Sequence, residues 1–243
     1  CVTIKGIKFG LPICEDIWTN NVCNKLKKQG CEIIISPNGS PFDKYKINQR
    51  KKVIEDRISE VRLPFVYVNQ VGGQDELVFD GSSLVMNANK EIIYRSPQWE
   101  EDRAIIEFDQ REKKFRSQNF VNNDLTDFEN IYMATVTGLR DYVIKNRFPG
   151  VILGLSGGID SAFCAAVAVD ALGEDKVEGF MLPSIYTSQN SFDDAEECAK
   201  RLNISLENIS IEKTYLSLEE SLKKTFKDAS PDITEENLQS RIR

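Results

Sequence analysis

Short apolar runs alternate with helical periodicities along the first part of the chain. Residues 8–14 are largely apolar and predict a strand. Val22 and Leu26, with Gly30 as a stop, predict a short helix. Ile33, Ile34 and Ile35 stand in a row within 32–36, the pattern of a buried strand. Ile47, Ile54, Ile58 and Val61 recur at helical spacing, and 63–68 reads as a further strand. Residues 82–86 and 91–94 flank Asn87-Ala88-Asn89-Lys90 as a hairpin.

The pattern lapses over 111–126, which is polar and Asn-rich and predicts a linker between parts at 1–110 and 127–243. Beyond it, Phe128, Ile131, Val136, Leu139 and Tyr142 are expected to form one buried helical face. Residues 151–155 predict a strand, 161–172 a helix stopped by Gly173, and 177–182 a second strand. Ser191 with Asp194 reads as a capping box, opening a helix that turns Phe192, Ala195, Ala199 and Leu202 inward. Strand, loop, helix, strand, helix in that order implies a parallel sheet with helices on its faces.

Composition removes several classes of function. A net charge of −7 argues against a nucleic-acid surface, which needs clustered cations. No apolar run approaches the ~20 residues of a membrane helix, so no membrane partner is expected. The chain has no histidine, which excludes Ser-His-Asp triads and Cys-His pairs within it. Its six cysteines form no C-x-x-C pair, so a zinc site is not expected and the thiols are read as reduced and cytoplasmic. Cys23, Cys31, Cys164 and Cys198 fall in helix or strand patterns and read as core. A first residue other than Met and a helix-like stretch at Arg243 read as a chain cut at both ends.

The most informative motif is Ser156-Gly157-Gly158-Ile159-Asp160-Ser161, between a predicted strand and a predicted helix. A helix start presents unpaired N–H groups and the positive end of the helix dipole. Two glycines let the backbone approach an anion closely. Ser156 and Ser161 offer hydroxyl donors. Asp160 would repel phosphate alone and makes sense as a ligand of Mg²⁺. The plainer alternative is a Gly-rich turn capped by Ser161. No Gly-Lys-Ser/Thr follows, so this is not a Walker A loop.

The second candidate is Cys14, in Leu11-Pro12-Ile13-Cys14-Glu15-Asp16-Ile17-Trp18, at an expected strand end. A thiolate is the attacking species. Glu15 and Asp16 disfavour it, so a cation must compensate. A cysteine beside a strand is otherwise most often core.

The loop at 154–161 (Gly154, Leu155, Ser156, Gly157, Gly158, Ile159, Asp160, Ser161) resembles the ATP loop of pyrophosphatase-type ligases, which activate a carboxyl group by adenylation. C-E-D-x-W after a Gly-Leu-Pro strand resembles the nucleophile segment of nitrilase-superfamily amidases, which use Glu, Lys and Cys without histidine. In that pattern Glu and Lys precede the Cys by many residues, and Lys5 and Lys8 stand too near to serve, so the triad is incomplete in this chain. Residues 37–42 with Lys46 match the segment that contacts glutamine, which assigns Glu15, Ser40 and Lys46 to glutamine binding. Residues 67–81 resemble a long signature of NAD synthetase glutaminases and suggest a tight loop. Met181-Leu182-Pro183-Ser184 and 236–243 resemble the synthetase continuation, where Asn237 and Arg241 are expected to contact deamido-NAD.

Both motifs in this order resemble the glutamine-dependent NAD synthetase family, as an internal stretch of it. The resemblance implies an α/β chain: the C-terminal part of a nitrilase-like αββα sandwich, then the start of a Rossmann-like parallel-sheet ATP pyrophosphatase domain. It implies glutamine, ATP and deamido-NAD as substrates, Mg²⁺ as cofactor, ammonia passed from Cys14 to the ATP site, and a homo-oligomer. A non-catalytic remnant that at most binds ATP, or another glutamine- and ATP-dependent amide ligase, are the rival expectations.

Overall fold

The computed structural model describes residues 1–116, 125–223, 225 and 233–243, without the side chains of 234–236. Of the stretch read as a linker, 117–124 lie outside the described residues. The chain divides into two compact units, Cys1–Tyr142 and Val143–Arg243.

In the first unit the elements run β1 (Val2–Ile4), β2 (Ile7–Gly10), α1 (Asn21–Lys28), β3 (Ile33–Asn38), α2 (Lys46–Val61), β4 (Phe65–Asn69), β5 (Val71–Gln74), β6 (Leu77–Asp80), β7 (Leu84–Met86), β8 (Ile92–Arg95), β9 (Phe108–Asp109) and β10 (Lys114–Phe115). A 3-10 turn, Cys14–Ile17, stands between β2 and α1. The main sheet has the order β1-β2-β3-β4-β7-β8, parallel at β2-β3-β4 and antiparallel at its flanks. The parallel centre is where the β-branched run of β3 is needed, because helices or strands cover both faces. On one face α1 and α2 bury Cys23, Leu26, Ile54 and Ile58 against Ile34, Phe65 and Tyr67. On the other, Ile33, Val85 and Ile93 pack with Phe115 of the β9–β10 ribbon.

The predicted strand at 8–14 is shorter than expected. β2 stops at Gly10, where a Cβ would sit 2.8 Å from Ile34 Cδ1 under α1. Residues 71–80, expected as a loop, form the antiparallel hairpin β5–β6, turned through Asp75 in the left-handed region.

A long helix, α3 (Asp127–Lys145), follows. Its buried face is not the apolar one expected. Phe128 is 85% exposed and Tyr142 55% exposed, whereas Asn130 and Thr137 are buried beside Val136. Asn130 buries because it finds partners: its Oδ1 accepts from Trp99 Nε1 at 2.9 Å and from Gln98 Nε2 at 2.7 Å. The buried Thr137 hydroxyl makes no hydrogen bond among the described residues.

The second unit continues with β11 (Val151–Gly154), α4 (Ile159–Leu172), β12 (Val177–Met181), α5 (Gln189–Leu202), β13 (Ser205–Asn208), α6 (Glu212–Leu222) and α7 (Ile233–Ile242). β11, β12 and β13 form a parallel sheet in that order. Small residues Ala165, Ala168, Ala195 and Ala199 are buried, which lets α4 and α5 approach the sheet closely. α5 is capped one turn earlier than expected: Ser188 is the N-cap, and its Oγ accepts from Ser191 N–H at 3.2 Å. Ser191 is thus the third residue of the helix, and it donates the cap bond through its N–H instead of accepting one. Cys23 and Cys31 are core as expected, but Cys164 is exposed on α4 and Cys198 only half-buried. No helix among the described residues is long and apolar enough to cross a membrane.

Candidate active sites

Cys14 opens the 3-10 turn after β2 in a left-handed conformation, φ 49°. A Cβ-bearing residue adopts that region only at a cost in strain. Asp16 helps hold the turn, its Oδ2 accepting from Ile13 N–H at 2.9 Å, and Ile17 is buried beneath it. The thiol is half-buried, and Glu15 beside it points to an exposed position. Lys46, at the start of α2, places its ammonium 4.8 Å from the centre of the Trp18 ring. The structure therefore sets one cation against the residue that ends the Cys14 turn. Such a contact contributes about 0.5–1 kcal/mol where solvent reaches it.

Ser40 is buried, not open. Its N–H donates to Asn69 Oδ1 at 3.0 Å, and its Oγ accepts from Arg50 Nε at 3.0 Å. Arg50 continues as a staple. Nη2 donates to the carbonyls of Ser40 (2.8 Å) and Pro41 (2.9 Å), and Nη1 to both carboxylate oxygens of Asp80 at 2.8 Å. Every guanidinium nitrogen is engaged, and Asp80 supplies the opposite charge inside the protein. Tyr67 lies against this network. Burial pushes its hydroxyl pKa up, Arg50 and the Ser40 hydroxyl oppose the rise, and Cys14 and Asp80 add to it. Tyr67 thus lies within electrostatic reach of Cys14 and within hydrogen-bond reach of Ser40.

Sequence reasoning singled out Cys14, Ser40 and Lys46 and passed over Arg50, Asp80 and Asn69, which hold the Ser40 segment. The signal available was weak: an Arg in an amphipathic helix and an Asp ending a strand, 30 residues apart.

In the second unit, Leu155 closes β11 with its N–H on Phe180 O at 2.8 Å, and the chain then turns. Gly157 takes φ +79°, and a Cβ there would lie 2.5 Å from Ser191 O. Gly158 is the N-cap of α4, so Ile159, Asp160 and Ser161 form its first turn. The two hydroxyls organise the loop. Ser161 Oγ accepts from Ser156 N–H (3.2 Å) and lies 3.1 Å from Ser156 Oγ, which accepts from Gly158 N–H at 3.2 Å. Ser156, Gly158, Ile159 and Asp160 are exposed. The loop is a preformed, solvent-facing helix start.

Gly154, Leu155 and Ser156 border a cleft of about 430 Å³ at the C-terminal end of the sheet, with Met181, Pro183, Tyr186 and Ser188 along its side. Ligands of open parallel sheets bind at this end. α7 adds Gln239 and Arg243 to its lining. Arg243 Nε donates to Leu182 O at 2.9 Å, and Gln239 Oε1 accepts from Ser184 Oγ. Asn237 and Arg241 lie exposed on the same helix and do not line the cleft. Among the described residues no three Cys, Asp or Glu side chains gather to hold a metal.

Two family models match the chain: a carbon-nitrogen hydrolase over 1–116 and an NAD synthase over 131–243. The glutamine-dependent NAD(+) synthetase of Rhodobacter capsulatus is 42% identical over 98% of the chain, and that of Acinetobacter baylyi 41% identical over 98%. Each is covered only in part, 43% and 44% of its length, so the chain spans less than half of these relatives. A solved glutamine-dependent NAD+ synthetase from Acinetobacter baumannii, in complex with ADP, superposes with a TM-score of 0.92 at 42% identity, over 100% of this chain and 46% of that one. The likeness runs through both units.

Proposed function

We infer, for a chain that belongs to the glutamine-dependent NAD(+) synthetase family, that it carries the glutamine nucleophile and the ATP loop of an enzyme that amidates deamido-NAD to NAD. One observation carries this reading. The Cys14 turn and the Ser156–Ser161 loop stand on one backbone that matches an ADP-bound relative at 42% identity.

In this reading residues 1–110 act as glutaminase and 127–243 as the ATP-binding part. The Cys14 thiolate adds to the side-chain amide carbon of glutamine. The C–N bond breaks, ammonia leaves with a proton, and water then cleaves the thioester to glutamate. The thiol proton passes first to a carboxylate, the glutamate that precedes the cysteine by many residues in the superfamily pattern, and from it to the leaving ammonia. Glu15, exposed beside Cys14, is assigned to glutamine binding. Lys46 is assigned to glutamine binding, and its ammonium over the Trp18 ring brings positive charge to the end of the acidic turn. Ser40 contributes less through its hydroxyl, which Arg50 occupies, than by shaping the wall of the site.

In the second unit the N–H groups of 154–161 and the Ser156 and Ser161 hydroxyls cradle the ATP phosphates. The carboxylate of deamido-NAD attacks the α-phosphorus, the bond to pyrophosphate breaks, and ammonia from the first reaction then displaces AMP. Asn237 and Arg241 are assigned to deamido-NAD. Asp160 would hold Mg²⁺. A single exposed carboxylate in the first turn of α4 suits an ion that takes one or two carboxylates and completes its shell with water and phosphate oxygens. When bound, it neutralises charge on the phosphates and the leaving pyrophosphate. Six free thiols fit a reducing, cytoplasmic setting.

The test is Cys14→Ala and Asp160→Asn in the complete protein, assayed for NAD formation with glutamine and with ammonia. Cys14→Ala is expected to abolish use of glutamine and spare use of ammonia, and Asp160→Asn to abolish both. Glutamine hydrolysis surviving in Cys14→Ala would remove Cys14 as nucleophile.

A further inference from the structure

The β5–β6 hairpin carries the support of the Cys14 site. Val71 pairs with Asp80, Gly72 with Phe79 and Gly73 with Val78. From β6, Asp80 holds Arg50 and through it Ser40 and Pro41, while Val78 O accepts from Phe42 N–H at 2.7 Å. At the same end of the segment, Asn38 O accepts from Gln70 N–H at 3.0 Å. The 38–42 stretch thus rests on this hairpin directly at Phe42 and, through Arg50 and Asp80, at Ser40 and Pro41.

The hairpin itself rests on α3. Gly73 N–H donates to Asp141 Oδ2 at 2.7 Å, and Asp141 Oδ1 accepts from Arg140 Nε at 3.1 Å. The approach is close, and tightest at Gly72. A Cβ at Gly72 (φ +117°) would lie 2.7 Å from Asp141 Oδ2, one at Gly73 3.3 Å from Thr137 O, and one at Gly138 3.2 Å from Val78 Cγ1. Asp141 is remote in sequence from every residue around Cys14 and falls in the stretch matched by the NAD synthase model, while Gly73 falls in that of the carbon-nitrogen hydrolase model.

We propose that Asp141 is a positioning residue for glutamine hydrolysis. By pinning Gly73 it fixes β6, and β6 fixes Asp80, Arg50 and the Ser40 segment that walls the site. The role rests on the reading of Cys14 as the glutamine nucleophile. It predicts that a residue of the synthase-matched stretch governs use of glutamine and not of ammonia.

Asp141→Ala in the complete protein is expected to raise the KM for glutamine about tenfold, the scale of one lost charge-assisted hydrogen bond, with ammonia-supported NAD formation within about twofold of the parent. Asp141→Asn, which keeps an oxygen for Gly73 N–H, should recover most of the loss. Should the alanine variant not fold, Gly138→Ala reads the same split, because its methyl presses on Val78. Parallel losses with glutamine and ammonia, or an unchanged KM for glutamine, overturn the proposal. Cys14→Ala run alongside separates the two ideas: if it still hydrolyses glutamine, the nucleophile assignment fails, and if it behaves as expected while the Asp141 and Gly138 variants are silent, only the positioning role fails.

Discussion

Arg50 and Asp80 face each other in the interior with both carboxylate oxygens 2.8 Å from one guanidinium nitrogen. Their side chains are 4% and 0% exposed. Neither charge can be rehydrated in place, so each depends on the other and on the carbonyls that Arg50 collects.

Arg50→Met is therefore expected to destabilise the protein by about 3–5 kcal/mol, because it strands Asp80 as a buried charge. Arg50→Met with Asp80→Leu together should cost less than the single change, since no ion remains unpaired. Urea unfolding of both variants checks the order. A double variant less stable than the single one would mean that the bonds to Ser40 and Pro41, not the ion pair, dominate.

Gly157 supports a prediction about ATP. Its positive φ costs any other residue about 1–2 kcal/mol, and a methyl would meet Ser191 O at 2.5 Å. Gly157→Ala must push the loop away from α5 and disturb the hydroxyl geometry at Ser156 and Ser161. Mg-ATP should raise the melting temperature of the parent protein, by about 2.7 kcal/mol of stabilisation at a hundredfold excess over Kd. In Gly157→Ala the unliganded melting temperature is expected to fall by several degrees, and the ATP-induced rise above that new baseline to vanish. Equal ATP-induced shifts in the two proteins would show that the loop does not hold the phosphates.

What was legible in the sequence was local. The Ile33–Ile35 run, the stop at Gly30 and the Gly-Gly turn before α4 each announce their element through their own residues. What was not legible depends on distant partners. The β5–β6 hairpin has two glycines in its first strand and little β-branched character, and reads as a loop. It is a strand because it pairs with β6, and its glycines lie where α3 comes close. Apolar spacing points to Phe128 and Tyr142 on the buried face of α3, but both are exposed and the buried positions are Asn130, Val136, Thr137 and Val143, with Asn130 paired to the Trp99 indole. Cys164 read as core because α4 is apolar all round, so period alone could not say which side faces the sheet. The same blindness hid Arg50 and Asp80, whose meaning is each other.

Cys23 and Cys14 should part company both in reactivity and in their effect on stability. Cys23 is fully buried among Ile17, Leu26 and Ile58. Burial pushes its thiol from 9.0 up to about 11, with Arg57 nearby partly opposing and Glu60 and Asp16 adding to the rise. A thiol reagent at pH 8 should therefore label half-buried Cys14 and spare Cys23, read by peptide mass mapping. The linkage runs in one direction. Because the folded pKa lies above the unfolded one, the folded state keeps its proton longer. Its contribution is complete below pH 9 and is lost as the pH rises towards 11. Over that window the upper bound is about 2–3 kcal/mol. Tyr67, also raised by burial, adds in the same sense. Cys23→Ala removes the Cys23 share, so its stability should fall less steeply than the parent's between pH 9 and 11. The experiment is urea unfolding at intervals across that range. Parallel slopes would mean that Cys23 ionises no later in the folded protein than in the unfolded chain, and that the α1 face of the sheet is open to water.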